Sequence, residues 1–121
     1  YPKDDLSDRH ERFFVSEIIR ETIFEQYYEE IPYSSEVQTQ EFKETIKDDK
    51  PFAKISVYII VERESQKAIL LGQQGKNIKE LGMASRKKIE EFLGHQVYLD
   101  IQIKTENNWR NNPDILKKYG Y

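Results

Sequence analysis

The chain has 121 residues, no cysteine and a formal net charge of −3, and these totals exclude several classes of protein. A domain of this length can bury enough surface to fold without a disulfide or a metal. Without cysteine there is no disulfide framework, thiolate metal cluster or cysteine nucleophile. No apolar run approaches the roughly 20 residues that span a bilayer, and the first residues lack a signal peptide's apolar segment. These features predict a single domain in a reducing, cytoplasmic compartment.

The charge is divided unevenly along the chain. Residues 1–62 hold eight Lys and Arg against fifteen Asp and Glu, whereas residues 63–88 hold seven against two. A positive segment in an acidic domain can localise a polyanion, although charged segments are also often ordinary solvated faces. The interpretation favoured here is a phosphate-bearing partner near residues 63–88.

The first half of the chain predicts a helix followed by a hairpin. Asp8 can cap the helix and Pro32 would stop it after about residue 30. Residues 33–46 are mostly polar, as in an edge strand, and residues 53–62 alternate apolar side chains, as in a more central strand. The sequence KDDKP at residues 47–51 predicts the turn between them.

The second half predicts a helix-loop-helix, a third strand and a terminal helix. A short helix, Gln66–Leu71, leads into the sequence GQQG, and a longer helix runs from about Gly75 to Leu93, with Gly94 as its C-cap. Residues 97–104 alternate as a strand, and Asn112 with Pro113 starts a last short helix. The element order is α-β-β-α-α-β-α, an α+β domain with helices on one face of a three-stranded sheet.

The longer helix has two chemically different faces. At 3.6 residues per turn, one face is mostly apolar and the other is basic. The apolar face carries Ile78, Leu81, Ser85, Ile89 and Phe92. The basic arc carries Lys76, Lys79, Arg86 and Lys87.

Gly72 and Gly75 in the GQQG loop point to a close approach of another backbone. A tight turn by itself would need only one glycine, and the turn is the simpler explanation. Two glycines, with Gln73 and Gln74 between them and Lys76 following, leave the loop without bulk or negative charge. Backbone N–H groups at the start of the next helix favour anions, so a sugar-phosphate chain fits this loop.

The glycine spacing is not that of a nucleotide-binding loop. A P-loop needs GxxxxGK[ST] after a strand, and a dinucleotide fingerprint needs three glycines in a βαβ unit. A GxxG loop between two helices, preceded and followed by strands, is instead the arrangement of a KH domain, whose loop clamps single-stranded nucleic acid.

Several motifs in order extend this resemblance over nearly the whole chain. The segments RFFVSEIIRE, IVERESQKAILLGQQGKNIKELG, ASRKKIEEFLG and VYLDIQIK resemble the C-terminal, type II KH domain of the Era family of bacterial GTPases. The resemblance implies that residues 1–8 are a linker remnant from a preceding GTPase domain and that residues 9–121 form the KH domain.

The resemblance also implies a function and a set of partners. Such a domain holds the single-stranded 3′ end of 16S ribosomal RNA during assembly of the 30S subunit. GTP and Mg are expected only in the missing GTPase domain, which would be a partner of this one, and no catalysis is expected here. A monomer is expected, with no DNA partner and with peripheral association at the inner face of the cell membrane.

Carried over residue by residue, the resemblance gives three groups of candidate RNA-binding residues. The loop residues that would follow the RNA backbone are Gly72, Gln73, Gln74 and Gly75. The cations that would neutralise phosphates are Lys76, Lys79, Lys67 and Arg63. The apolar residues that would wall the groove for the bases are Ile69, Leu70, Ile78, Ile59, Ile60 and Val61. KH loops commonly carry a basic residue between the glycines, and both positions are Gln here.

Two other functions stay open at this point. The acidic first 62 residues favour a protein-interaction domain that has a KH fold and little RNA affinity. An enzyme is disfavoured, because Ser85 has no paired base and its hydroxyl is expected to bond the Leu81 carbonyl. His10 and His95 have no second ligand at a metal-binding spacing.

Trp109 and Arg110 also have two interpretations. They could form a stacking platform for a base. The favoured interpretation is that Trp109 packs the terminal helix onto the sheet edge, since large aromatic side chains are usually buried.

Overall fold

The computed structural model describes residues 3–28 and 31–106, with side chains described from His10 onward. Within these ranges the chain forms helices and a sheet in the predicted order, with one additional short helix. The helices are α1 (Lys3–Gln26), α2 (Ile31–Ser34), α3 (Glu64–Leu71) and α4 (Lys76–Leu93). The strands are β1 (Glu36–Lys47), β2 (Lys50–Val61) and β3 (Gln96–Thr105), and a single 3₁₀ turn, Gln73–Gly75, joins α3 to α4.

The three strands form one mixed sheet in the order β1-β2-β3. β1 and β2 are an antiparallel hairpin, joined by Asp48 and Asp49 with φ values of 53° and 63°. Positive φ at both central residues is the conformation of a type I′ turn, which Asp tolerates better than most residues. β2 and β3 are parallel. The predicted hairpin, edge strand and central strand are therefore confirmed.

The core lies between the sheet and the helices. The side chains of Ile55, Val57, Ile59 and Val61 alternate along β2 and are fully buried. They pack in one cluster with residues of α1, α3 and α4. Because period-2 alternation places all four on the same face, the helices must lie on that face. The predicted α+β class is confirmed, and each fully buried Ile contributes about 1.5–3 kcal/mol.

Polar contacts fix α1 on β1. The Arg20 guanidinium lies 2.7 Å from the Glu36 carboxylate, and the hydroxyls of Ser16 and Thr39 are 2.8 Å apart. The Ser85 hydroxyl on α4 is different. It is buried and has no hydrogen-bond partner among the described residues, so the expected bond to the Leu81 carbonyl is wrong. Thr22 of α1 does make the equivalent bond, to the Ile18 carbonyl at 2.8 Å, so helix geometry itself permits it.

The ends of the first helix differ from the prediction. α1 begins at Lys3, so Asp8 lies inside the helix and is not its N-cap. Pro32 does not stop α1, which ends at Gln26; it occupies the first turn of α2, where a missing N–H costs nothing. The division at residue 8 stays a prediction, and the predicted terminal helix lies outside the described residues.

Candidate nucleic-acid interface

The loop between α3 and α4 has an unusual backbone. Gly72 has φ 73° and ψ 178°, and Gly75 is left-handed with φ 74° and ψ 16°. Gln74, between them, also has a positive φ of 56°. The Gly72 conformation is essentially restricted to glycine, and a left-handed Gln costs on the order of 1–2 kcal/mol. Gln74 is therefore strained, and its conformation must be held by the surrounding structure.

Glycine is required at the two positions for different local reasons. A Cβ on Gly72 would lie 2.5 Å from Cγ of Asn77, so this position has neither the conformation nor the space for a side chain. A Cβ on Gly75 would meet only Cγ2 of Ile78, at 3.9 Å, so conformation alone requires glycine there. The argument that one glycine would suffice for the turn is wrong. Both glycines follow from the turn, and the function must be argued from what surrounds it.

The loop is exposed, and the residues next to it in the sequence carry no negative charge. Gln73, Gln74 and Lys76 are exposed, and no Asp or Glu lies between Glu64 and Glu80 in the sequence. The Gly75 amide donates to the Gly72 carbonyl at 3.2 Å, and the Lys76 amide donates to the Gln73 carbonyl. Because these two amides are used inside the turn, attraction for a phosphate comes more from lysine side chains than from them.

A groove of about 300 Å³ lies between α4 and β3, and its first lining residue in the chain, Ile78, follows Gly75 by three positions. Lys79 and Arg86 give its helical wall positive charge, and Leu99 and Ile101 of β3 form its opposite, apolar wall. Ile78 and Met83 complete the lining together with Gly82. A cationic wall facing an apolar wall suits a chain with a charged backbone and flat, apolar bases.

Gly82 leaves the middle of this groove open. It lies inside α4, and a Cβ placed on it would meet no atom within 4 Å. No close contact therefore requires glycine at this position, although glycine in a helix interior costs about 0.5–1 kcal/mol relative to alanine. The bare helix surface lies among the groove residues and leaves the helix backbone accessible from the groove.

The predicted site residues are only partly brought together. Ile78 and Lys79 line the groove, with Lys76 at the helix start beside it. Arg63 is the N-cap residue of α3 and is exposed, and Lys67 is half-buried in the same helix. Lys88, another cation of the basic segment, instead approaches Glu21 and Glu25 of α1, so it contributes to helix packing.

Most of the predicted apolar wall residues have no accessible surface. Ile59, Val61 and Leu70 are fully buried in the core cluster beneath the helices. Ile60 is also fully buried, but strand alternation places it on the other face of the sheet. Ile69 is 49% exposed and lines a different cavity, together with Tyr27 and Asn77. None of these five side chains lines the groove between α4 and β3.

Sequence reasoning missed the strand that forms the groove. Leu99 and Ile101 belong to β3, which is the sheet edge next to α4, whereas the predicted strand, β2, is central. Alternating apolar residues show that a strand is half-buried, but they do not show which helix lies beside it. Arg86 was available as a signal, because it falls on the basic arc of α4.

Comparisons with known proteins show which family has this fold. A family model described as "KH domain" matches residues 30–110. The chain is 51% identical over 123 residues to "GTPase ERA1, chloroplastic" of Zea mays, and 40% identical over 121 residues to "GTPase Era" of Geotalea daltonii. Both alignments cover the whole of this chain, but only 28% and 40% of the respective relatives. The chain thus spans less than half the length of these proteins.

Two similar solved structures are both of Era. One is a variant of Aquifex aeolicus Era bound to GDP·AlF4⁻, and the other is Era in complex with MgGDPNP and nucleotides 1506–1542 of 16S ribosomal RNA. Each has a TM-score of 0.80 and is 36% identical in sequence to this chain. Each alignment covers 91% of this chain and 36% of the Era chain. The predicted type II KH fold is confirmed. The chain belongs to the KH domain family, and it matches the KH portion of Era GTPases.

Proposed function

We propose that this chain is the single-stranded RNA-binding domain of an Era-like GTPase and that it holds the 3′ end of 16S ribosomal RNA during 30S assembly. The observation that carries the proposal is the groove between α4 and β3, which places Lys79 and Arg86 opposite Leu99 and Ile101. Its first lining residue in the chain, Ile78, follows the GQQG loop by three positions. The relative solved with nucleotides 1506–1542 of 16S ribosomal RNA supports this class of ligand.

The loop, the nearby cations and the groove each have a role in this proposal. Gly72, Gln73, Gln74 and Gly75 follow the RNA backbone, while Lys76 and Lys79 neutralise phosphates. Arg63 and Lys67 add longer-range positive charge from α3. The apolar surface of Ile78 and the two β3 residues receives the bases.

The proposal also sets the partners and the compartment. The GTPase domain of the same protein would bind GTP and Mg and would be the partner within one chain. The compartment must contain small ribosomal subunits. Cytoplasm is the predicted one, and the chloroplastic relatives add the plastid as an alternative. Among the described residues, no helix is long and apolar enough to cross a membrane.

The direct test is titration of a fluorescently labelled, single-stranded 16S 3′-end RNA, followed by anisotropy over a series of salt concentrations. About three or four cations can reach phosphates. For single strands, each such contact contributes about −0.7 to the slope of log K against log salt concentration. The expected slope is therefore about −2 to −3. Absence of saturable binding would favour the alternative, a protein-interaction domain with a KH fold. A slope as steep as about −6 would show that a different surface binds the RNA.

This chain by itself is expected neither to bind nor to hydrolyse GTP. Its only closely spaced glycines are those of the GQQG loop, which lacks the Lys-Ser/Thr pair of a phosphate loop. Isothermal calorimetry with MgGTP should give no saturable heat. Stoichiometric binding would show that a nucleotide site exists in these 121 residues.

A further inference from the structure

The C-terminal end of α3 leads directly into the GQQG loop, and its last carbonyls are bound one after another. The Ala68 carbonyl accepts the Gly72 amide at 2.9 Å, which is an ordinary backbone bond. The next two carbonyls accept side chains from other parts of the fold. Asn77 Nδ2 of α4 donates to the Ile69 carbonyl at 3.1 Å, and the Tyr27 hydroxyl donates to the Leu70 carbonyl at 2.7 Å.

Tyr27 is buried and donates its hydroxyl proton to a residue far away in the sequence. It follows the end of α1, 43 residues before its acceptor in sequence, and only 6% of it is exposed. Burial, with a smaller effect from the Glu80 carboxylate, raises the pKa of Tyr27 to about 12. The hydroxyl therefore remains protonated, and able to donate, throughout the neutral range.

Asn77 supports the loop in a second way. Its side chain occupies the space beneath Gly72, where a Cβ would come within 2.5 Å of it. Asn77 faces the cavity that also contains Tyr27 and Ile69, and it does not line the groove between α4 and β3. The two side chains thus act on consecutive carbonyls from behind the loop.

We propose that Tyr27 and Asn77 are positioning residues that hold the GQQG loop in the conformation that binds RNA. The left-handed Gln74, with φ 56°, is strained and persists only where the surrounding structure holds it, whereas Gly72 and Gly75 adopt their positive φ values without strain. The bonds to Ile69 and Leu70 fix the point from which the loop departs. This inference rests on the proposed RNA-binding function.

The sharpest test is Tyr27→Phe, because it removes one buried hydroxyl and changes no charge. The Leu70 carbonyl then loses its partner, and the loop is expected to sample other conformations before RNA binds. RNA affinity should fall about threefold to tenfold at a temperature well below the melting point, and hydrogen exchange at the Gly75 amide should accelerate. Tyr28→Phe is the matched control, since Tyr28 is adjacent and 81% exposed, and it should change neither quantity.

A second variant, Asn77→Ala, tests the other bond and should show the same two effects. A merely structural role predicts a lower melting temperature with unchanged RNA affinity and unchanged exchange at Gly75, and that result in both variants would overturn the inference. If the wild-type chain binds no RNA, the proposed function fails. In that case hydrogen exchange at the Gly75 amide tests the positioning role by itself. Faster exchange in Tyr27→Phe than in the wild type supports the role, and an unchanged exchange rate overturns it.

Discussion

Replacing Gly82 by Leu is expected to lower RNA affinity at least tenfold while leaving the domain folded, which corresponds to about 1.4 kcal/mol or more of binding free energy. Gly82 lies on the groove side of α4, and the space above its Cα is open. A leucine side chain would extend into a groove of about 300 Å³, where it competes with a base. Leucine is a strong helix former, so α4 itself should not be weakened.

Gly82→Ala is the matched control for this variant. Alanine adds one methyl group where nothing lies within 4 Å, and it removes the conformational cost of glycine in a helix. It should stabilise the domain by about 0.5–1 kcal/mol and raise the melting temperature by a few degrees. Fluorescence anisotropy and thermal melting measure both effects. Unchanged RNA affinity in a folded Gly82→Leu protein would show that bases do not occupy this groove.

The double substitution of Gln73 and Gln74 by Asp should weaken RNA binding at least as much. Both side chains are exposed on the loop that is proposed to follow the phosphate backbone. Two carboxylates there would meet phosphates at a few ångströms, at a cost of about 1 kcal/mol or more per contact even with screening. Affinity should therefore fall at least tenfold. Folding should change by about 0.5 kcal/mol or less, because Asp tolerates the positive φ of residue 74.

The matched control is the double substitution of the same two residues by Asn, which keeps the loop neutral and also tolerates a positive φ. Its affinity should stay within about threefold of the wild type. Anisotropy titrations and thermal melts of the wild type and the two variants distinguish the effect of loop charge from the effect of side-chain shape. If the Asp variant is folded and binds RNA normally, the loop serves only to turn the chain.

Local sequence signals were sufficient to predict the elements that are specified by neighbouring residues. Alternation at Ile55, Val57 and Ile59 identified a half-buried strand, and the KDDKP segment identified the hairpin turn. Gly94, in a left-handed C-cap conformation, ends α4 as expected. In each case the signal is local, because a strand, a turn or a cap is specified by residues within a few positions of one another.

The sequence by itself determined the α+β class, the helix-loop-helix around Gly72 and Gly75, and the basic arc of α4 that carries Lys79 and Arg86. Only the tertiary structure decided that β3 forms the opposite wall of the groove, because the parallel pairing of β2 with β3 leaves β3 at the sheet edge beside α4. It also decided that the Tyr27 hydroxyl reaches the Leu70 carbonyl, 43 residues away. Both are contacts between residues distant in sequence. They depend on how the elements pack, and local periodicity or residue spacing does not predict that packing.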